Sequence, residues 1–365
     1  MTDNVSFNEL LTLISAIFEK GYGYSRDEAQ ITATVLVEAD ARGIASHGVS
    51  RLSFYRQNLD LGHAHPGLQP KIVWETPASL VLDGQGGLGC YIADLAVKKT
   101  IEKAKVTGVC YSSVRNSNHY GIAGYWAELI AKENMIGMAF TNTYIAGVAT
   151  FGNLRILGTN PISVAIPEGD DRIFLLDMAT TTVTHGKVEL YDRRQKKMPQ
   201  GWVVDEKGRE VTDATAFEKN FYQTNLGGHL YIGGAGEESG GHKGFGLGLL
   251  VELLCSGLSL GRSSLQTYAK DGNAEITHFF SAIKLDLFGR PDELKSHMGE
   301  ILKSVRASSK AEGQDRIYIH GEKEAEARAK SLKEGVFLDK ATKDYLKKLC
   351  LTLDLPLIKG LDNDH

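Results

Sequence analysis

Apolar positions recur every three to four residues through the first sixty residues, and the pattern predicts helices. FNELLTLISAIFEKGYG (7–23) ends at Gly21 and Gly23. SRDEAQITATVLVEADARG (25–43) follows with Ser25 as a capping candidate. SHGVSRL (46–52) opens a third helix, α-helical from Gly48 onward, with Ser46 in a position to cap it. The helical block closes in a loop at His63-Ala64-His65-Pro66. From about Val73 short β-like runs alternate with helical ones, which predicts an α/β body. Its expected strands are 79–83, 108–115, 135–142, 162–167, 172–179 and 275–288, and its expected helices are 91–106, 121–134 and a segment near 183–196. The apolar run Phe245 to Leu260 reads as a buried helix; Glu252 and its glycines, and its short length, argue against a bilayer span. The remainder is charged and helical through KEAEARAKSLKEG and KATKDYLKKLC.

Composition narrows the function classes. A chain of 365 residues, 42% hydrophobic, is long enough for two lobes and a large core. A formal net charge of −4 supplies no basic field for nucleic acid or an anionic membrane. The N-terminus lacks a basic stretch followed by an apolar core, so no signal peptide is expected. Cys90, Cys110, Cys255 and Cys350 show no CxxC and no repeated spacing. They read as buried, reduced thiols of a cytoplasmic protein rather than as a zinc site or a disulfide framework. His63 and His65 flank an alanine but have no third ligand in view, so no metal is expected.

Candidate chemistry begins at ADARGIASHGVSRL (39–52). In a helix, His47 and Arg51 would project from one face, placing a side chain that exchanges a proton near neutrality beside a planar fork that matches a carboxylate. A small oxo or hydroxy acid would need both. His119 in Asn116-Ser117-Asn118-His119-Tyr120-Gly121 is a second acid/base candidate, exposed where a strand hands over to a helix. Gly158-Thr159-Asn160-Pro161 is a polar turn before a strand. Asp177-Met178-Ala179-Thr180-Thr181-Thr182 either holds a ribose or caps the next helix through Thr182. The stretch 233–244, rich in glycine and ending in His242-Lys243-Gly244, suits a phosphate but lacks the order of a P-loop. Gly84-Gln85-Gly86-Gly87-Leu88-Gly89 matches GxGxxG between a strand and a helix. The next strand, however, ends in Arg115 where a dinucleotide-binding unit would carry an acid, although an arginine suits a 2′-phosphate. A plain glycine turn is the expectation.

Taken together and in order, ADARGIASHGVSRL, SVRNSNHYGIAGYWA, GTNPISVAIP, LLDMATT, KKMPQGWVVDEKGREVTD, GGHKGFGLGLLVELLCSGLS and THFFSAI resemble the malate/L-lactate dehydrogenase family of the non-Rossmann kind. That family includes ureidoglycolate and sulfolactate dehydrogenases, diketogulonate reductase and piperideine-carboxylate reductase. The resemblance implies an α/β (α+β) fold with an unusual cofactor domain, a homodimer, and reduction of a 2-oxo acid or cyclic imine with NAD or NADP, or the reverse oxidation. The expected organisation is a helical part over 1–72, a cofactor-binding α/β domain over 73–288, and a helical part over 289–365 packing back on the first. By resemblance His119 and His47 carry the acid/base chemistry, with Ser46 beside them and Arg51 on the substrate carboxylate. Asn118, Thr159 and Pro161 lie near the site, and Asp177, Met178, Ala179, His242, Lys243, Gly321 and Glu322 meet the cofactor. His320-Gly321-Glu322 departs from the family's Pro-Gly-Glu at its first residue. Malate/oxaloacetate is the first expectation for the substrate pair. Ureidoglycolate, sulfolactate, lactate and cyclic-imine chemistry stand as alternatives within the class, and a non-catalytic nucleotide-binding dimer stands outside it.

Overall fold

Helix α1 (Phe7–Ala16) runs into a π-turn at Ile17–Gly21, and α2 (Arg26–Ala41) follows. In this computed structural model, which describes residues 4–170, 172–269 and 272–361, Ser25 starts α2 with a capping box. Its backbone N–H donates to the Glu28 carboxylate at 2.9 Å while its side chain accepts from the Glu28 N–H. Helix α2 is buried on most sides because two cores meet along it. Leu36 and Val37 pack into a cluster shared with Val336, Leu346 and Cys350 from the far end of the chain, and Val35 packs into the cluster beneath the main sheet. The segment that α2 delivers is therefore rigidly placed.

That segment departs from the expected helix. Ala45–His47 and Val49–Arg51 form two 3₁₀ turns, and the α-helix α3 (Leu52–Asp60) begins only afterwards. The cause is Asp40, near the end of α2: its carboxylate accepts from Val49 N at 2.7 Å, and a Cβ added to Gly48 would fall 2.1 Å from its Oδ1. The carboxylate takes the place expected of Ser46, which makes no cap.

The body contains strands β1 (Lys71–Thr76), β2 (Ser79–Asp83), β3 (Val109–Ser117), β4 (Met135–Thr141), β5 (Gly147–Val148), β6 (Arg155–Leu157), β7 (Ile162–Pro167), β8 (Ile173–Met178), β9 (Val203–Val204), β10 (Gly228–His229) and β11 (Ile276–Lys284). Its helices are α4 (Gly89–Thr107), α5 (Ala123–Ala131), α6 (His185–Arg193), α7 (Ala214–Gln223) and α8 (Gly241–Glu252); α9 (Pro291–Ala307), α10 (Glu322–Glu334) and α11 (Lys340–Leu353) complete the chain. The main sheet has the order β1-β2-β3-β11-β4-β7-β8, and β5, β6, β9 and β10 form a small second sheet. In the main sheet only β2 and β3 run parallel. The fold is thus mixed α/β, not a doubly wound parallel sheet. Strand β1 escapes the sequence pattern because it is an edge strand exposed along nearly its whole length, so alternation has nothing to report.

A second expectation is overturned. The run from Phe245 to Leu260 is not a buried helix: after α8 it continues as a π-turn at Leu253–Gly257, and Leu250, Leu253, Leu258 and Leu260 stand exposed. Gly244 and Gly248 supply the inner face, where a Cβ would strike Ile232 and Tyr231, so the leucines point outward.

Candidate active site

The end of α2, the loop after β3, the ends of β4 and β8, the turn before β7 and the start of α6 converge on one cavity of about 410 Å³. Residue 119 enters it from a loop braced by the glycine turn. Asn118 Nδ2 donates to the carbonyls of Gly87 (2.9 Å) and His63 (3.1 Å), and a Cβ on Gly89 would lie 2.2 Å from the Asn118 carbonyl. The GxGxxG match is therefore a platform for the His119 loop. Arg115 is already spent on Asp83, with Nε at 3.0 Å from its Oδ2, and is not open to a 2′-phosphate.

His47 stacks against His119 with ring centroids 5.8 Å apart and planes 21° apart, and Ser46 Oγ lies 3.0 Å from His47 Nδ1. Arg51 donates from Nε to the Ser46 carbonyl, which orients its guanidinium within the same cavity wall. Burial, reinforced by Arg51, pushes the His47 pKa down to about 4. Burial, followed by His47, Arg51 and His278, holds His119 well below the usual imidazole range. Both rings are neutral at pH 7. His119 Nδ1 faces the Tyr55 hydroxyl at 2.9 Å and the Gly121 N–H at 3.3 Å, whereas neither His47 Nε2 nor His119 Nε2 has a partner among the described residues.

Asp177 lies at the end of β8. Its Oδ2 accepts from Gly124 N at 2.8 Å, and enclosure raises its pKa to about 6. A Cβ on Gly124 would come within 2.6 Å of that carboxylate, so the glycine makes room for it. Leu175, Met178 and Ala179 continue this wall, and His320 and Gly321 approach through a bond from Leu175 N to the His320 carbonyl at 3.1 Å.

Ser46, His47, Arg51, His119, Thr159, Pro161, Asp177, Met178, Ala179 and Gly321 all line this cavity. Asn118, Glu322, His242 and Lys243, expected at the site by resemblance, do not. Asn118 lies behind the wall on its carbonyl bonds. Glu322 is held by Arg306 at 2.6 Å and Arg316 at 2.9 Å, which keep its carboxylate below the usual range against burial. His242 and Lys243 are exposed at the start of α8, where the N–H groups of both are taken up by the loop carbonyls of Gly236 and Gly240. Thr182 does not cap α6; its hydroxyl donates to the Tyr231 carbonyl at 2.9 Å. His63 and His65 are bonded to Gly272 and Asn273.

Sequence reasoning missed Arg42, Tyr144, His185 and Tyr268 on the cavity wall, and Tyr55 behind it. Tyr55 was findable: it follows Arg51 by one helical turn. His185 was not, because it is defined by contacts remote in sequence. Its Nδ1 lies 3.1 Å from His229 Nε2, and its Nε2 lies 3.2 Å from Tyr222 Oη and 3.4 Å from a Glu218 oxygen.

The profile of the malate/L-lactate dehydrogenase family matches residues 5–347. The chain is 40% identical to a malate dehydrogenase of Pyrococcus abyssi over 97% of its own length and 95% of that protein. It is 37% identical to an L-sulfolactate dehydrogenase of Methanocaldococcus jannaschii, with 95% and 96% covered. Among solved structures, malate dehydrogenase from Entamoeba histolytica superposes with a TM-score of 0.93 at 34% identity, covering 97% of this chain and 99% of that one.

Proposed function

Because the chain belongs to the malate/L-lactate dehydrogenase family and is an oxidoreductase acting on a CH–OH group, we propose that it interconverts malate and oxaloacetate with NAD or NADP. The observation that carries this reading is a stacked pair of neutral histidines, each with Nε2 unpartnered among the described residues, beside Arg51 in one cavity. The wall of Leu175, Met178 and Ala179 fits a flat nicotinamide ring, and Asp177 supplies an acceptor for hydroxyls. Asp177, Met178, Ala179 and Gly321 would hold that part of the cofactor, with His242, Lys243 and Glu322 toward its remainder. When bound, the cofactor supplies or accepts a hydride at the substrate's C2.

This chain's own residues do the rest. Arg51 binds the substrate carboxylate as a charge-assisted fork and so orients C2. His119 gives a proton to the oxygen as it becomes an alkoxide, or removes the hydroxyl proton in the reverse direction. His47, stacked beside it, disfavours a second positive charge there and keeps the proton exchangeable. Thr159 and Pro161 close the site near the reacting carbon.

A homodimer in the cytoplasm belongs to the same proposal. The exposed leucines around α8 suit a subunit contact, and all four cysteines are buried and free. The test is loss of absorbance at about 340 nm with NADH or NADPH in turn and a panel of oxaloacetate, pyruvate, sulfopyruvate, oxalurate and piperideine-2-carboxylate. Fast oxidation with oxaloacetate supports the reading. Preference for sulfopyruvate would move the chain toward the M. jannaschii relative, and silence with all five would overturn it.

A further inference from the structure

The bonding around His119 extends one residue deeper than the proposed chemistry uses. Tyr55 is buried on α3, its ring packed edge-on against Phe18 at 5.5 Å and against His119 at 5.7 Å. Its hydroxyl has two acceptors within reach on the same residue, His119 Nδ1 at 2.9 Å and the His119 carbonyl at 3.4 Å, and Cys90 Sγ stands behind it at 3.7 Å. The Gly121 N–H also points at Nδ1, at 3.3 Å, and this donor can serve only an unprotonated nitrogen.

We propose that Tyr55 is a positioning residue for His119, a hydroxyl that satisfies Nδ1 in whichever protonation state the ring takes. The proposal rests on His119 being the proton carrier. With Nδ1 bare, the hydroxyl donates to it alongside Gly121, and the ring's hydrogen sits on Nε2. When Nδ1 carries a hydrogen, the hydroxyl turns its own proton to the His119 carbonyl and accepts from Nδ1 instead. Proton balance at the reacting atom requires that second arrangement. In reduction the ring first takes up a proton from solvent, and the imidazolium so formed loses its Nε2 proton to the alkoxide oxygen and is left as the Nδ1–H tautomer. In oxidation the Nδ1–H tautomer takes the hydroxyl proton on Nε2 and becomes the imidazolium. Both states present a hydrogen at Nδ1 that the Gly121 N–H cannot accept and the Tyr55 oxygen can. The charged and titratable groups facing the ring are His47, Arg51, Tyr55 and His278. Of these only Tyr55 bonds to Nδ1.

The test is Tyr55→Phe, which keeps the packed ring and removes one oxygen. Losing a hydrogen bond to a charged ring is expected to lower kcat about ten- to a hundredfold in both directions. KM for the oxo acid stays near its wild-type value, and the limb of the pH–kcat profile due to His119 moves to lower pH. A role in packing alone would leave that limb in place. Independently of turnover, the ¹⁵N resonance of His119 Nδ1 in the free enzyme is expected to move from the hydrogen-bonded toward the unbonded position in Tyr55→Phe. An unmoved Nδ1 resonance, or an unmoved pH limb with wild-type kcat, overturns the proposal. His119→Gln separates the two readings: full activity in that variant would sink the role of His119 itself, whereas an inactive His119→Gln beside an unaltered Tyr55→Phe would sink only the role of Tyr55.

Discussion

One pair of histidines lines the cavity and a second stands at its edge, with His185 on the wall and His229 buried behind it, and the two are built for different ends. His47 and His119 lie nearly parallel, and each keeps one ring nitrogen without a partner among the described residues. His185 and His229 meet edge-on, with both nitrogens of His185 committed to protein groups and its ring stacked on Phe221 at 4.2 Å. Burial pushes the His229 pKa down to about 3, as it pushes His47 down to about 4, so burial does not tell the pairs apart. What tells them apart is where the uncommitted nitrogen lies: His47 and His119 each keep one on the cavity wall, whereas in the second pair it is Nδ1 of His229, fully buried and off that wall. A histidine in a cavity wall does chemistry only if its hydrogen-bonding capacity is unspent; otherwise it is a polar brace.

This contrast is open to experiment. The largest effect is expected at the first pair: His119→Ala should lower kcat by about 10²–10⁴, read from steady-state rates in either direction. Arg51→Ala should follow, raising KM for the oxo acid by roughly tenfold to a hundredfold through loss of a charge-assisted contact, with a smaller change in kcat. At the second pair the signature reverses. His185→Phe should leave kcat within about tenfold of wild type yet cost about 1–3 kcal/mol of stability, measured by urea unfolding, because Glu218 and His229 lose a partner. A large fall in kcat without destabilisation would erase the distinction.

Three buried histidines, one from each pair and His278, should weaken the fold in acid. His47, His229 and His278, the last also held at about 3, bind protons in the unfolded chain near pH 6.5 and refuse them when folded. Their contribution is complete above pH 6.5 and is lost as pH falls toward 4, so the urea midpoint should drop between pH 7 and 5. The smallest effect is expected at Asp40, with the opposite sign. Burial raises its pKa to about 7, so the fold favours its protonated form, and stability from this group declines as pH rises from about 4 and is lost once pH passes 7. Asp40→Asn, which can still accept from Val49 N, should flatten that decline between about pH 4 and 7.

The parts of this arrangement that could be read in the sequence are those set by local chemistry. Ile162–Pro167 and Ser79–Asp83 are strands with the expected bounds, and Ser25 caps α2, because alternation and capping depend on neighbours in the chain. The grouping of Ser46, His47, Arg51, His119 and Asp177 was legible through ordered motifs and family resemblance. The 3₁₀ turns at 45–51 were not, because a carboxylate from the preceding helix replaces the expected cap. The outward face of Phe245 to Leu260 was hidden for another reason: glycines turn the helix's inner side toward Ile232 and Tyr231, and composition registers leucines without their direction. Short strands such as Gly228–His229 carry too few residues for any period to show.

Strand β11 has a consequence for how the molecule is made. It lies in the middle of the main sheet, between β3 and β4, with Phe280 opposite Ser112 on one side and Ala139 on the other, yet it comes after every other strand in the chain. A ribosome that has released residues 1–270 has therefore delivered two half-sheets with unpaired facing edges, and each is a template for another chain. The sheet becomes one body only when 276–284 slots between them, a closure of long sequence separation that makes folding slow and synthesis the exposed interval in the protein's life.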